Sequence, residues 1–163
     1  MSYTVTFWGT RGSIPTPGVH TARYGGNTSC VAVSGARDQL VILDAGSGIR
    51  LLGRELMRVA SMPMNLDILL SHTHWDHIQG LPFFTPFFIK GNQIRILGAD
   101  PAGSSLKGTL QNQLAPHYSP LNGLENLAAG VSIESFLPGA EFAIGDFEIT
   151  TAAAFLAFAE TPA

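Results

Sequence analysis

The sequence is short of cysteine, of charge and of long apolar runs, and each shortage excludes something. Cys30 is the only cysteine among 163 residues. No internal disulfide can form, and no thiolate zinc cluster can be assembled from one chain. Charged residues make up only 13%, and the formal net charge is −3. With a pI near 5.9 the chain lacks the basic footprint of a nonspecific polyanion binder, so charge gives no strong nucleic-acid signal. No apolar run approaches the ~20 residues of a membrane span, so no membrane partner is expected. The opening "MSYTVTFWGT" lacks the basic-then-apolar order of a signal peptide. Together these absences predict a soluble cytoplasmic protein.

What is present suits a packed core. Hydrophobic residues make up 45% of the chain, and the mean hydropathy is +0.22, so the sequence reads as globular: one domain or part of one. Thr4 to Trp8, Cys30 to Val33, Leu40 to Leu43, Leu66 to Leu70 and Ile94 to Leu97 read as short strands. Ile49 to Ala60 is the best helix, with Ile49, Leu52, Leu56 and Val59 on one apolar face and Arg50, Arg54 and Arg58 on a solvated one. Leu106, Leu110 and Leu114 give a weaker helical stripe. Phe142 to Ile144 and Phe147 to Thr150 flank "GD", the strongest hairpin signal in the chain. The order β-β-β-α-β-β-α-β-β predicts an α+β fold of mixed sheets with flanking helices. "GLPFFTPFF" is too proline-rich for a regular helix and reads as core rather than as a wall of the substrate cleft. The tail "TTAAAFLAFAETPA" reads either as a short helix or as the point where a longer domain is cut or read out of frame.

The densest chemistry lies in "SHTHWDHIQG", residues 71–80, which holds three of the five histidines. It begins where a buried strand ends, a common place for functional groups on a rigid scaffold. His72 and His74 are two apart, so in extended chain they point to one side. Asp76 and His77 follow as the chain turns. Imidazole with carboxylate matches Zn²⁺ or Mn²⁺, with Fe²⁺ as an alternative, rather than Ca²⁺. Two such ions can clamp the oxygens of a displacement reaction. Ser13, Ser29 and Ser47 have no histidine partner in sequence, Cys30 reads as core, and "GTRGSIPTPG" lacks the lysine-serine end of a P-loop.

"HTHWDH", residues 72–77, has the H-x-H-x-D-H pattern of the metallo-β-lactamase superfamily. "ILDAGSGIR" resembles the strand and turn before the motif in that family. "FWGTRGSIPTPG" with "RYGGNTSC" resembles the N-terminal loops of its phosphodiesterase branch, which includes RNase Z-like and cyclic-nucleotide phosphodiesterase-like members. The resemblance covers about residues 3–150. It implies the N-terminal portion of an αββα sandwich and two divalent metal ions. His72 and His74 would hold one ion; Asp76 and His77 would hold the other, with Asp76 also handling protons in catalysis. Asp44 falls where the family has a carboxylate behind the site, orienting a ligand histidine; a turn-capping aspartate is the alternative. Asn27 and Thr28 either line the substrate cleft or simply belong to a glycine-rich turn.

The family completes its site with ligands from a second, similar half of the fold. Downstream of the motif this sequence offers only His117, in a loop and not at a ligand position, and "AAAFLAFAE" stands where a histidine would follow "FEITT". The expectation is a single domain over residues 1–163, incomplete at its C-terminal side. Such a chain is a fragment, or completes its site in a homo-oligomer, or is a non-catalytic relative. A half-sandwich also predicts an exposed apolar sheet face. The function expected is a metal-dependent hydrolase, foremost a phosphodiesterase acting on a small-molecule or nucleotide phosphodiester. Hydrolysis of another ester, thioester or lactone is one alternative; a non-catalytic metal-binding or interaction module is another.

Overall fold

The computed structural model describes residues 3–35, 39–119, 121 and 123–153. Strands Thr4–Gly9 (β1), Cys30–Ser34 (β2) and Leu40–Leu43 (β3) come first, followed by helix Ile49–Val59 (α1). Then come Asn65–Leu70 (β4), the one-turn helix Trp75–Ile78 (α2), Gln93–Ala99 (β5) and helix Leu106–Gln113 (α3). Gly130–Phe136 (β6), Glu141–Ile144 (β7) and Phe147–Thr150 (β8) complete the described elements. Most of the tail expected to be a short helix or a cut lies outside the described residues.

Strands β1 to β6 form one sheet in sequence order, and β7 pairs with β8 in a separate hairpin. β1, β2 and β3 run antiparallel, whereas β3 to β6 run parallel. Parallel neighbours need crossovers, and α1 and α3 lie within two of them. The sheet is mixed and flanked by helices, as the element order predicted. Strand β6 is an addition: "GVSIESF" alternates Val131 and Ile133 with Ser132 and Glu134, but its three apolar side chains make a weak period-two signal at a sheet edge.

One sheet face packs tightly. Ile42, Leu66, Ile68, Leu70, Ile94 and Ile96 point into a core with Ile49 and Leu52 of α1 and Leu106 and Leu110 of α3. "GLPFFTPFF" folds into two 3₁₀ turns, Leu81–Phe83 and Thr85–Phe88. Phe84 and Phe87 meet edge to face at 5.4 Å inside this core, while Phe83 and Phe88 are exposed. Arg50, Arg54 and Arg58 of α1 face solvent. Val59, expected on the apolar stripe, is exposed too. At about 100° per residue it lies about 80° around the helix from Ile49, at the stripe's margin.

Among the described residues the other face is more thinly covered. Val41, Leu69 and Leu97 pack against Ile144 and Phe147 of the β7–β8 hairpin, with Val33, Phe136, Phe142 and Ile149 around them. Val5 and Phe7 of edge strand β1, on the same face as Val33, stay 52% and 67% exposed. No helix among the described residues is long and apolar enough to cross a membrane.

Candidate metal centre

The histidines gather at the carboxyl end of β4, in the middle of the parallel part of the sheet, where open α/β sheets commonly place their sites. His72 to His74 leave the strand extended, and α2 turns Asp76 and His77 back toward them. The His72 ring centroid lies 4.4 Å from that of His74 and 4.1 Å from that of His77. The structure therefore brings His72, His74, Asp76 and His77 together.

Asp44 ties this cluster to the core. It is 7% exposed and sits at φ 61°, a left-handed conformation that aspartate tolerates better than most residues. Its Oδ1 accepts from the backbone N–H and hydroxyl of Ser71 at 2.9 and 2.8 Å. Its Oδ2 accepts from Ser29 Oγ at 2.9 Å and stands 2.8 Å from His77 Nδ1. An ionised carboxylate can only accept, so Nδ1 of His77 carries the proton in this pair. A neutral imidazole held this way has its lone pair on Nε2. That nitrogen faces Asp76 Oδ2 at 3.5 Å. Two lone-pair acceptors that close are reconciled by a cation or a shared proton.

The fit to a metal can be tested on this spacing. A tetrahedral ion with bonds of about 2.0–2.1 Å separates two of its ligands by roughly 3.3–3.4 Å. The Asp76–His77 pair fits, and imidazole with carboxylate is the right donor chemistry for Zn²⁺ or Mn²⁺. The set is nonetheless open: among the described residues no three His, Cys, Asp or Glu side chains are placed to hold one ion. Exposed His117 lies beyond α3 in a segment without regular structure and packs edge-on to Tyr118 at 6.5 Å.

Electrostatics favours the protonation states a metal needs. Partial burial and the neighbouring His77 and His74 push the His72 pKa down, toward the neutral ring. For Asp76, burial works upward. The Ser13 N–H and His77 outweigh it and hold the carboxyl below its ordinary value.

Of the two residues expected either in the cleft or in a glycine-rich turn, one is enclosed and the other half-buried. Thr28 is fully buried, so it cannot line a cleft. Its Oγ1 accepts from the Ser47 N–H at 2.8 Å and from Gln79 Nε2 at 3.0 Å, and its N–H donates to Ser47 Oγ at 3.0 Å. Asn27 is half-buried and takes part in the same knot, its Oδ1 accepting from Ser47 Oγ at 3.2 Å. Glycine-rich chain is needed because three segments cross here: a β-carbon on Gly46 would strike the Asp76 carbonyl and Thr28, and one on Gly80 would strike Gly46.

Comparison with known proteins fixes the family. The sequence pattern of the beta-lactamase superfamily domain matches residues 39–161. The chain belongs to this superfamily. Two solved structures share the fold: a diphosphatase from the PhnP family (TM-score 0.59, 15% identity, 91% of this chain and 56% of that one), and Zn²⁺-bound PqqB from Methylobacterium extorquens (TM-score 0.55, 16% identity, 86% and 51%). The chain thus spans about half the length of these two structures. Its α+β fold is that of the N-terminal portion of the metallo-β-lactamase sandwich. No curated protein matches the sequence.

Several residues that shape the superfamily site here were not singled out by the sequence. Ser71 bridges Asp44 and the histidines, its hydroxyl 3.0 Å from His72 Nδ1. Ser29 completes the shell of Asp44. Gln113 of α3 donates to the carbonyl of Ile78 at 2.8 Å and so holds α2. A small hydroxyl residue at a strand end carries little sequence signal by itself. Ser71, immediately before the motif, is the one whose adjacency is a signal in the sequence.

Proposed function

We propose that this chain carries the metal-binding half-site of a metal-dependent hydrolase and that its substrate class is a phosphodiester. The observation that carries the reading is the pairing of His77 Nε2 with Asp76 Oδ2 at 3.5 Å while Asp44 holds the far side of the ring. His72 and His74 would hold one divalent ion; Asp76 and His77 would hold the second, with Asp44 orienting His77. Bound Zn²⁺ or Mn²⁺ would supply Lewis-acid polarisation of the scissile group. The chain's own contribution is positional: Asp44 fixes one ring tautomer, and the Thr28 knot sets the loops around the strand end. A small-molecule or nucleotide phosphodiester is favoured by the likeness of the N-terminal loops to the phosphodiesterase branch and by the diphosphatase relative. The test is Zn²⁺- or Mn²⁺-dependent hydrolysis of a chromogenic phosphodiester, run beside a lactone and a thioester. A His72→Ala, His74→Ala double variant that loses metal but keeps activity would overturn the metal-dependent reading.

One observation favours a second reading. No three donors converge among the described residues, which suits a metal-binding module without turnover. It predicts metal uptake with no hydrolysis of any of the three esters. The exposed strip of Val5 and Phe7 also supports association of copies, which could add donors.

A further inference from the structure

The loop between β1 and β2 reaches across the chain to the metal motif. Its tip is a γ-turn: the Ile14 N–H donates to the Gly12 carbonyl at 3.0 Å around Ser13, whose φ is 69°. Three-residue turns with a positive central φ are rare and strained, and Ser13 has no glycine's freedom to relieve that. Strain of this kind persists only where the surroundings over-determine it. Here Arg11 Nε donates to the Ile14 carbonyl at 3.0 Å, closing the turn from behind. The base of the loop is tied down where the Thr10 and Arg11 N–H groups donate to the Asn27 carbonyl at 3.1 and 3.0 Å. Next to Asn27 is Thr28, whose hydroxyl accepts from Gln79, just past α2. Loop and motif therefore share one anchor. The product of this scaffolding is a single contact, from the Ser13 N–H to Asp76 Oδ2 at 2.8 Å across 63 positions of sequence.

We propose that Ser13 is a positioning residue, its main-chain N–H clamping the Asp76 carboxylate in the rotamer that faces His77. The inference rests on the metal-dependent hydrolase reading for its purpose, but the clamp itself is independent of it. Only the N–H is required, so the side chain matters through the backbone conformation it permits. Proline at 13 removes the donor and forces φ near −65°. Glycine keeps the donor and accepts the positive φ.

Two measurements test the clamp. The first follows hydrogen exchange of the Ser13 amide in metal-free protein, wild type against Asp76→Ala. A lost hydrogen bond should speed exchange about tenfold. Equal exchange rates in the two proteins overturn the proposal. The second compares Zn²⁺ affinity and the visible spectrum of the Co²⁺-loaded protein in Ser13→Pro and Ser13→Gly. Loss of a group that orients a ligand costs roughly tenfold to a hundredfold in metal affinity. Ser13→Pro should show that loss and an altered Co²⁺ spectrum, with Ser13→Gly binding at least tenfold tighter than Ser13→Pro. Equal affinities and spectra in the two variants leave the contact without a positioning role and overturn the proposal. If wild type takes up no metal, the hydrolase reading fails, and the exchange result alone decides whether Ser13 holds Asp76.

Discussion

The two faces of the central sheet are made by the same strands and end up in different conditions. On one face Ile42, Ile68, Ile94 and Ile96 are sealed under α1, α3 and the Phe84–Phe87 turn. On the other, the described residues cover Leu69 and Leu97 with the two-stranded hairpin and its neighbours, and Phe7 is two-thirds exposed. The difference teaches where the fold's stability resides. The sealed face also supports the candidate metal centre, because the histidine motif follows directly from β4 and α2 buries Ile78 in the same core. The second face, as far as the described residues show it, offers an apolar surface at Val5 and Phe7.

The largest effect expected from breaking this comparison is in the sealed layer. Phe84→Ala should cost about 3–5 kcal/mol in urea unfolding, because it empties a fully buried site against Phe87 and Gly53. Phe147→Ala, in the thin layer, should cost roughly half as much. Equal costs would show that the hairpin face is as well packed as the helical one.

Asp44→Ala comes next. It strands the Ser71 and Ser29 donors and frees His77, at about 2–3 kcal/mol of stability and a tenfold to hundredfold loss of Zn²⁺ affinity by calorimetric titration. Asp44→Asn should keep most of the stability, since asparagine tolerates the same left-handed backbone, while still weakening metal uptake. An Asp44→Ala protein with unchanged Zn²⁺ affinity would detach Asp44 from the site.

Phe7→Ser sharpens the comparison at the surface. If the thin face drives association, this variant should shift wild-type oligomers toward monomer in sedimentation while changing stability little. Wild type that is already monomeric would mean that the strip is covered or harmless in solution.

The smallest effect concerns Cys30, fully buried beneath the sealed face. Burial first, and Asp44 second, push its thiol from 9.0 up to about 12. The folded state therefore resists forming thiolate, and labelling by a thiol reagent at neutral pH should occur only on unfolding. The sign for stability follows: the contribution is complete below pH 9.0 and is lost as pH rises toward about 12. Cys30→Ala should flatten that alkaline decline.

Much of this was legible without a structure. Alternating and continuous apolar runs marked all strands but β6, whose three apolar side chains at an edge barely rise above a polar background. The histidine motif was legible because four side chains of metal-donor type in six positions need no tertiary context to be recognised. Thr28 stayed open between two readings because glycine-rich loops look alike whether they line a cleft or, as here, bury a hydroxyl in a knot of three segments.

The sequence by itself determined the periodicity, the donor chemistry at His72, His74, Asp76 and His77, and the lack of an internal disulfide. Those depend on residue type and local spacing. Only the tertiary structure decided which donor meets which partner: Asp44 against His77 across 33 positions, Ser13 against Asp76 across 63, and Val59 and Phe7 left in solvent. Hydrogen bonds of 2.8 Å and covered faces are properties of chain crossings, and crossings between distant segments leave no pattern in either segment alone.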